Sequence, residues 1–312
     1  MERKSRHSRS RQKDRFYISE QDLEILRLLA RYRYLRTTFI QAHTGRDRSS
    51  VNYALRKLFD QGYIDKPREQ RRGYNNLYCP DIYELDGKGN GLLLERGIRE
   101  FEITRLYRQK VNGPVKNFAH SMMICDALAS LELGVRQSPD CQFIGWQEIV
   151  ARAEATNPMK LPCTVAHTHA NGRYERLETH IVPDGLFGIR YPNGQAAFFA
   201  LEAEHYNPIE PTNLGRASFL KKLLAYRDIA KTGVYKTNLK IPNLRVLVVS
   251  PTEERVRHQI QLTERIAKAS NLFLFNVIPV QEELPNAPPP FPELFTVPWQ
   301  RAGMPDGTIS TG

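Results

Sequence analysis

Apolar positions near the start of the chain recur with a helical period. After Ser19-Glu20-Gln21-Asp22, the residues Leu23, Ile25, Leu26, Leu29 and Ala30 fall on one stripe. The S-x-x-D spacing is that of a capping box, in which the serine hydroxyl accepts from a backbone amide three residues on. Tyr32 to Leu35 interrupts the stripe, and Thr37 or Thr38 is placed to cap a short helix running to about His43. Thr44-Gly45-Arg46-Asp47 reads as a turn with Gly45 at positive φ. A third helix is expected from about Ser49 to Gln61, with Val51, Ala54, Leu55 and Leu58 on its apolar face. Short strands at Tyr63–Lys66 and Asn76–Cys79 then flank a loop, Pro67–Asn75. Gly87-Lys88-Gly89-Asn90-Gly91 reads as a loop ahead of a helix starting near Leu92. It lacks the G-K-[ST] ending that a phosphate-cradling loop needs.

Val111 to Lys116, with Gly113-Pro114, marks a boundary. Beyond it the pattern predicts a helix over 117–133 and strands near 142–149, 178–190 and 196–204. A helix over 214–230, a strand over 244–250, a helix over 253–270 and a strand over 273–279 follow. The fold class is therefore α+β: a winged helix-turn-helix over 16–110, then a mixed α/β domain over 117–280. Residues 281–312 form a proline-rich tail that also carries Phe291, Leu294, Phe295 and Trp299. Such a tail either lies extended across the second domain or docks on a partner.

Charge sharpens this division. The 312 residues carry a net charge of +11, yet residues 1–110 hold 25 Lys+Arg against 15 Asp+Glu. The rest of the chain is nearly neutral, so the positive excess belongs to one module, as phosphate contacts require. Seven basic residues (Arg3, Lys4, Arg6, Arg9, Arg11, Lys13 and Arg15) crowd into 1–15, a composition that predicts a disordered arm. That arm is either a solubilising tail or a tracker of a phosphate backbone. The four cysteines contain no C-x-x-C pair, which excludes a zinc finger and fits reduced thiols. No run of 18 apolar residues argues for a membrane span, and the polar N-terminus lacks the core of a secretory signal. The expected setting is the cytoplasm.

The third helix supplies the binding candidates. Away from its apolar stripe lie Arg48, Ser49, Asn52, Tyr53, Arg56 and Lys57, all able to donate to phosphates or base edges. Arg68, Arg71 and Arg72 give the following loop the basic tip of a wing. Double-stranded DNA is the expected partner, and binding it requires no cofactor.

Candidate chemistry lies in the second domain. Pro183-Asp184-Gly185 and Leu201-Glu202-Ala203-Glu204 flank the turn Tyr191-Pro192-Asn193-Gly194. A three-residue loop with Gly194 left-handed pairs Tyr191 with Gln195 and sets Asp184 opposite Glu202. Cross-strand partners share a sheet face, so the two carboxylates could hold Mg2+. A two-residue loop would put the acids on opposite faces instead. On the next helix Lys222 and Tyr226 share a face through i,i+4 spacing, and Lys222 could approach the acids. Cys163, His167, His169 and His180 are read as belonging to a solvent-facing strand edge rather than to a metal site.

The order P-D, hairpin, E-x-E, then helical K-x-x-x-Y resembles the PD-(D/E)XK nuclease superfamily. Together with the preceding module, the chain to about residue 280 resembles the replication-relaxation family of plasmid, phage and integrative elements. Asp22-Leu23-Glu24-Ile25-Leu26, Leu55-Arg56-Lys57-Leu58, Tyr83-Glu84-Leu85 with Gly89, Pro183-Asp184-Gly185 and Leu201-Glu202 carry that likeness. The resemblance implies a bacterial DNA-binding protein of a mobile element, acting in replication, relaxation or mobilisation with a degenerate nuclease-like domain. It also implies replication or mobilisation proteins as partners, while a homodimer has no heptad pattern to specify it. Glu204 stands where the superfamily's active members place lysine, so Lys222 would have to substitute from the helix. Asp126 is the nearest candidate for the acid that the superfamily places on its first helix. Two other functions stay open: a metal-dependent endonuclease using Asp184, Glu202 and Lys222, and a winged-helix transcriptional regulator.

Overall fold

The computed structural model describes residues 8–10, 17–72, 79–98, 118–153, 156–280 and 287–311. The fold is α+β and divides into two compact units, Met1–Ala129 with Val280–Pro290 and Ser130–Pro279 with Phe291–Gly312.

In the first unit, α1 (Glu20–Tyr32) opens on the full capping box, with Ser19 and Asp22 bonding each other's backbone amides. The helix ends at Arg33, whose φ of 70° and ψ of −59° turn the chain so that Tyr34 N–H donates to Tyr32 C=O at 3.0 Å. After β1 (Leu35–Arg36) come α2 (Thr37–Thr44) and the Gly45 turn, with φ of 65° as expected. Thr37 does not cap α2. It is the first helical residue, and its hydroxyl bonds the Asp81 carbonyl while Arg36 fills the cap position without a side-chain bond. In α3 (Arg48–Asp60), Asp47 is the cap, accepting from Ser50 N–H at 3.0 Å.

β2 (Ile64–Asp65) pairs antiparallel with β3 (Ile82–Leu85), and β1 joins the other edge of β3, giving the sheet order β1-β3-β2. The strand that pairs with β2 is Ile82–Leu85; of the strand expected over Asn76–Cys79, residues 76–78 lie outside the described residues. Gln70 anchors β3. Its side chain bonds both the N–H and the C=O of Ile82, tying the turn Arg68–Arg72 to β3. The glycine-rich segment is not a loop: α4 (Gly87–Glu95) starts there, behind the Asp86 cap. Gly89 belongs in it because a Cβ would lie 2.2 Å from the Tyr63 carbonyl. Leu23, Leu26, Phe39, Ile40, Val51, Leu55 and Leu58 are fully buried in this unit, each side chain contributing roughly 1.5–3 kcal/mol.

α5 (Phe118–Gln137) runs from the first unit into the second. Among the described residues it is the helix long and apolar enough to cross a membrane, but 78% of its apolar window is buried inside the fold. Burial of that kind marks a core helix.

The second unit is built on a mixed sheet. Its strands are β4 (Gln142–Gly145), β7 (Gly185–Arg190), β8 (Ala196–Ala203), β9 (Arg245–Ser250), β10 (Phe273–Val277), β11 (Trp299–Arg301) and β12 (Met304–Gly307). They lie in the order β12-β11-β10-β9-β8-β7-β4, with β8, β9 and β10 parallel to one another. The strand expected over 178–190 is two strands, split at Val182-Pro183-Asp184. Its first part, β6 (Tyr174–Ile181), pairs with β5 (Leu161–Thr168) in a separate hairpin. The helix α6 (Trp146–Ala151) takes the second half of the strand expected over 142–149. Part of the proline-rich tail completes the sheet: Gln300 pairs with Phe275, and Trp299 is fully buried.

Leu220, Leu223 and Tyr226 of α7 (Phe219–Thr232) pack with Ala200, Val246, Val248, Phe273 and Phe275 in one core cluster. This helix therefore covers the sheet face on which the even-numbered residues of β8 stand. The short helix α8 (Val234–Asn238) and α9 (Glu253–Ala267) complete the unit.

Candidate functional site

The β7–β8 turn fixes which side chains meet. Tyr191 N–H donates to Gln195 C=O at 2.9 Å, Gly194 has φ of 80°, and Gly185 pairs with Leu201. One step outward, this register sets Asp184 opposite Glu202, as the three-residue loop requires. Asp184 Oδ2 also accepts from Ala203 N–H at 3.1 Å, which holds the carboxylate at the end of β8. Glu204 continues the alternation, its N–H bonding Val249 C=O, so it stands on the same face as Glu202.

Lys222 comes down on this row from α7. Its Nζ lies 2.5 Å from Glu202 Oε2, 2.7 Å from Glu204 Oε1 and 3.2 Å from Asp184 Oδ2. Tyr226, one turn on, donates its hydroxyl to Glu202 Oε1. Arg255 of α9 approaches Glu204 Oε2 at 3.6 Å and also donates to the Asn207 carbonyl. Glu202 and Glu204 are almost wholly buried, so three carboxylates share two cations in a site of low dielectric.

The titration of the cluster follows from that geometry. Burial pushes the Glu202 carboxyl up to about 8, against the pull of Lys222 and with the push of Asp184. Burial opposes the charge on Lys222, but attraction to Asp184, Glu202 and Glu204 outweighs it and holds the ammonium well above its ordinary range. Burial, then the neighbouring Glu202, raises the Tyr226 hydroxyl as well.

The donor set suits a hard cation. Glu202 Oε2 and both Glu204 carboxylate oxygens are buried and meet Lys222 or Arg255 as ion pairs. Lys222 fills the point on which they converge, and among the described residues no group of three or more His, Cys, Asp or Glu is disposed around a space for metal.

The other sequence candidates fall as follows. His167 and His169 have rings 5.1 Å apart, and His169 bonds Glu175 at 3.0 Å. Asp126 is buried in the first unit against Arg36 at 3.3 Å, and burial raises its carboxyl despite that guanidinium. Glu204, Tyr226 and Arg255 are members that the sequence reading left without a role, although E-x-E on one strand already implies a shared face.

In the first unit, α3 buries Val51, Ala54, Leu55, Leu58 and Phe59, leaving Arg48, Ser49, Asn52, Tyr53 and Arg56 exposed and Lys57 half-buried. Tyr53 is open, with 66% of its surface accessible, and Lys57 Nζ sits 5.2 Å over its ring. Arg68 is exposed on the turn after β2, while the side chains of Arg71 and Arg72 lie outside the described residues.

A family model described as replication-relaxation matches residues 26–244, from the middle of α1 to the residue before β9. The chain belongs to the replication-relaxation family. Membership connects it with the replication and relaxation of DNA. The matched span holds the exposed face of α3 and, in the second unit, Asp184, Glu202, Glu204, Lys222 and Tyr226. Of the side chains in the carboxylate cluster, Arg255 alone falls beyond the replication-relaxation match. No curated protein and no solved structure matches the chain.

Proposed function

We propose that this is a cytoplasmic DNA-binding protein of a mobile genetic element, acting in replication, relaxation or mobilisation. Its first unit would be a winged helix-turn-helix that lays α3 in the major groove of duplex DNA. The observation that carries this is the two-sidedness of α3. One face is closed by Val51, Leu55 and Leu58, and the other offers Arg48, Ser49, Asn52, Tyr53, Arg56 and Lys57 to solvent. The order helix, strand, helix, helix, strand, strand supports the winged reading, with Arg68, Arg71 and Arg72 on the wing turn. The second unit would be a PD-(D/E)XK-like domain serving as a second DNA contact or a docking body for replication or mobilisation proteins.

A second reading, metal-dependent DNA cleavage, is favoured by the shared face of Asp184 and Glu202 and by Lys222 above them. In that reading Asp184 and Glu202 would hold Mg2+, which would polarise the phosphate and lower the pKa of a bound water. Lys222 would have to withdraw from the carboxylates to face the substrate.

Incubating the protein with supercoiled plasmid, with and without magnesium or manganese, beside Asp184→Ala and Asn52→Ala/Arg56→Ala, tests both readings. Retarded but intact plasmid for wild type and Asp184→Ala, with retardation weakened in the α3 variant, supports a binding protein. Metal-dependent nicking lost in Asp184→Ala supports the nuclease. Intact and unretarded plasmid throughout contradicts both.

A further inference from the structure

Arg9 is one of seven basic residues in the first fifteen, yet it does not face solvent as a free cation. Its Nη2 lies 2.6 Å from Asp86 Oδ2 and 3.6 Å from Asp65 Oδ1, and it donates to the Ile64 carbonyl at 3.2 Å. The guanidinium sits 5.3 Å over the Phe59 ring, and Ser10 N–H donates to Asp60 Oδ1 at 2.8 Å. These contacts reach the end of α3, the strand β2 and the cap of α4, three elements that meet at one corner of the first unit.

Three carboxylates meet at that corner, with Lys66 Nζ 4.9 Å over the same Phe59 ring and Lys88 donating to the Gln61 carbonyl nearby. Asp60, Asp65 and Asp86 cluster beside the helix that the proposed function lays against DNA, and Asp60 also pairs with Arg56 of the same helix at 3.8 Å. Carboxylates within a Debye length of a phosphate backbone, about 10 Å at 0.1 M salt, oppose its approach. A single half-exposed ion pair holds weakly. Arg9 and Ser10 instead combine two carboxylates, a carbonyl, an aromatic face and a backbone bond to a third aspartate.

Resting on the DNA-binding reading, we propose that Arg9 is a positioning residue. It pins the middle of the basic arm to the end of α3 and screens Asp65 and Asp86 from the phosphate backbone, without itself touching DNA. The arm is then neither a free tail nor a free phosphate tracker at this point.

The test compares wild type, Arg9→Ala, Arg9→Ala/Asp65→Asn/Asp86→Asn and Arg48→Ala for binding to a short fluorescent duplex across a salt series, with Tm recorded for each. Arg9→Ala is expected to bind about three- to tenfold more weakly at low salt, the size of losing one half-exposed charge screen. Its salt slope should become shallower than wild type, because added salt screens the uncovered carboxylates, and the aspartate changes should restore it. Neutralising the two aspartates should return the affinity to wild type or above. Unchanged binding in Arg9→Ala overturns the proposal. So does a slope shallower by about 0.9 that the aspartate changes do not rescue, which would make Arg9 an ordinary phosphate contact. If wild type and Arg48→Ala both fail to bind any duplex, the DNA-binding reading itself falls, and this inference with it.

Discussion

Lys222 Nζ lies 2.5 Å from Glu202 Oε2, across the gap between α7 and the end of β8. This pair joins two stretches of sequence that only the sheet register and the helix cover bring together. Breaking one side of a buried ion pair typically costs about 3–5 kcal/mol, because the other charge stays buried. Lys222→Met should therefore lose about that much stability in urea unfolding at pH 8. The loss should shrink at pH 5, where the carboxyls it leaves facing each other can take up protons. An equal loss at both pH values would contradict this arrangement of charge.

Glu202 gives the cluster a pH dependence of definite sign. Folding raises its carboxyl from an ordinary 4.5 to about 8, so between those values the native state keeps a proton that the unfolded chain has released. Its contribution is full below pH 4.5, falls through the window and is gone above 8. The slope from this one group is at most about 1.4 kcal/mol per pH unit. In Glu202→Gln the decline of stability between pH 5 and 8 should flatten. A variant that tracks the wild type across that range would mean the carboxyl is ionised throughout.

Two glycines of α4 should respond in opposite directions. A Cβ at Gly89 would lie 2.2 Å from the Tyr63 carbonyl, whereas one at Gly91 would meet nothing within 4 Å. Gly89→Ala should lower stability by about 1–3 kcal/mol through the forced shift of backbone. Gly91→Ala should raise it by roughly 0.5–1 kcal/mol, since alanine loses less backbone entropy in a helix. Thermal unfolding of the two variants side by side reads this directly.

Arg36 and Asp126 make the comparable pair in the first unit, with side chains 1% and 4% exposed. Arg36→Met alone should cost about 3–5 kcal/mol, softened as Asp126 takes up a proton. Adding Asp126→Leu should recover much of the loss, because neither member of the pair is then left buried without the other. A double variant less stable than the single one would show that the pair contributes more than mutual neutralisation.

Much of the candidate site was legible because one turn controls it. Pro192-Asn193-Gly194 fixes the loop length, the loop length fixes the register, and the register places Asp184 opposite Glu202. The apolar stripe of α3 was equally readable, since Val51, Leu55 and Leu58 leave one face for polar residues. Other features needed tertiary information. Five residues with three glycines carry little helix propensity, yet they start α4 because Asp86 caps it and Gly89 lets it pack on the Tyr63 backbone. The β5–β6 hairpin did have a signal: Leu161, Cys163 and Val165 alternate, and Gly172 supplies the turn with φ of 80°. Its position off the main sheet follows from packing against α7. Nothing local in Trp299–Arg301 announces an added strand, which depends on the open edge of β10.

The exposed face of α3 is the centre of this account, and its salt dependence is the most direct measurement. Fluorescence anisotropy of a labelled duplex should give binding that weakens with salt, with log K falling by about 0.9 per phosphate neutralised. A slope of about −3 or steeper is expected for wild type, becoming shallower by about 0.9 with Arg48→Ala and again with Lys57→Ala. Binding that ignores salt between low and physiological ionic strength, or slopes untouched by both substitutions, would contradict the assignment of α3 to DNA.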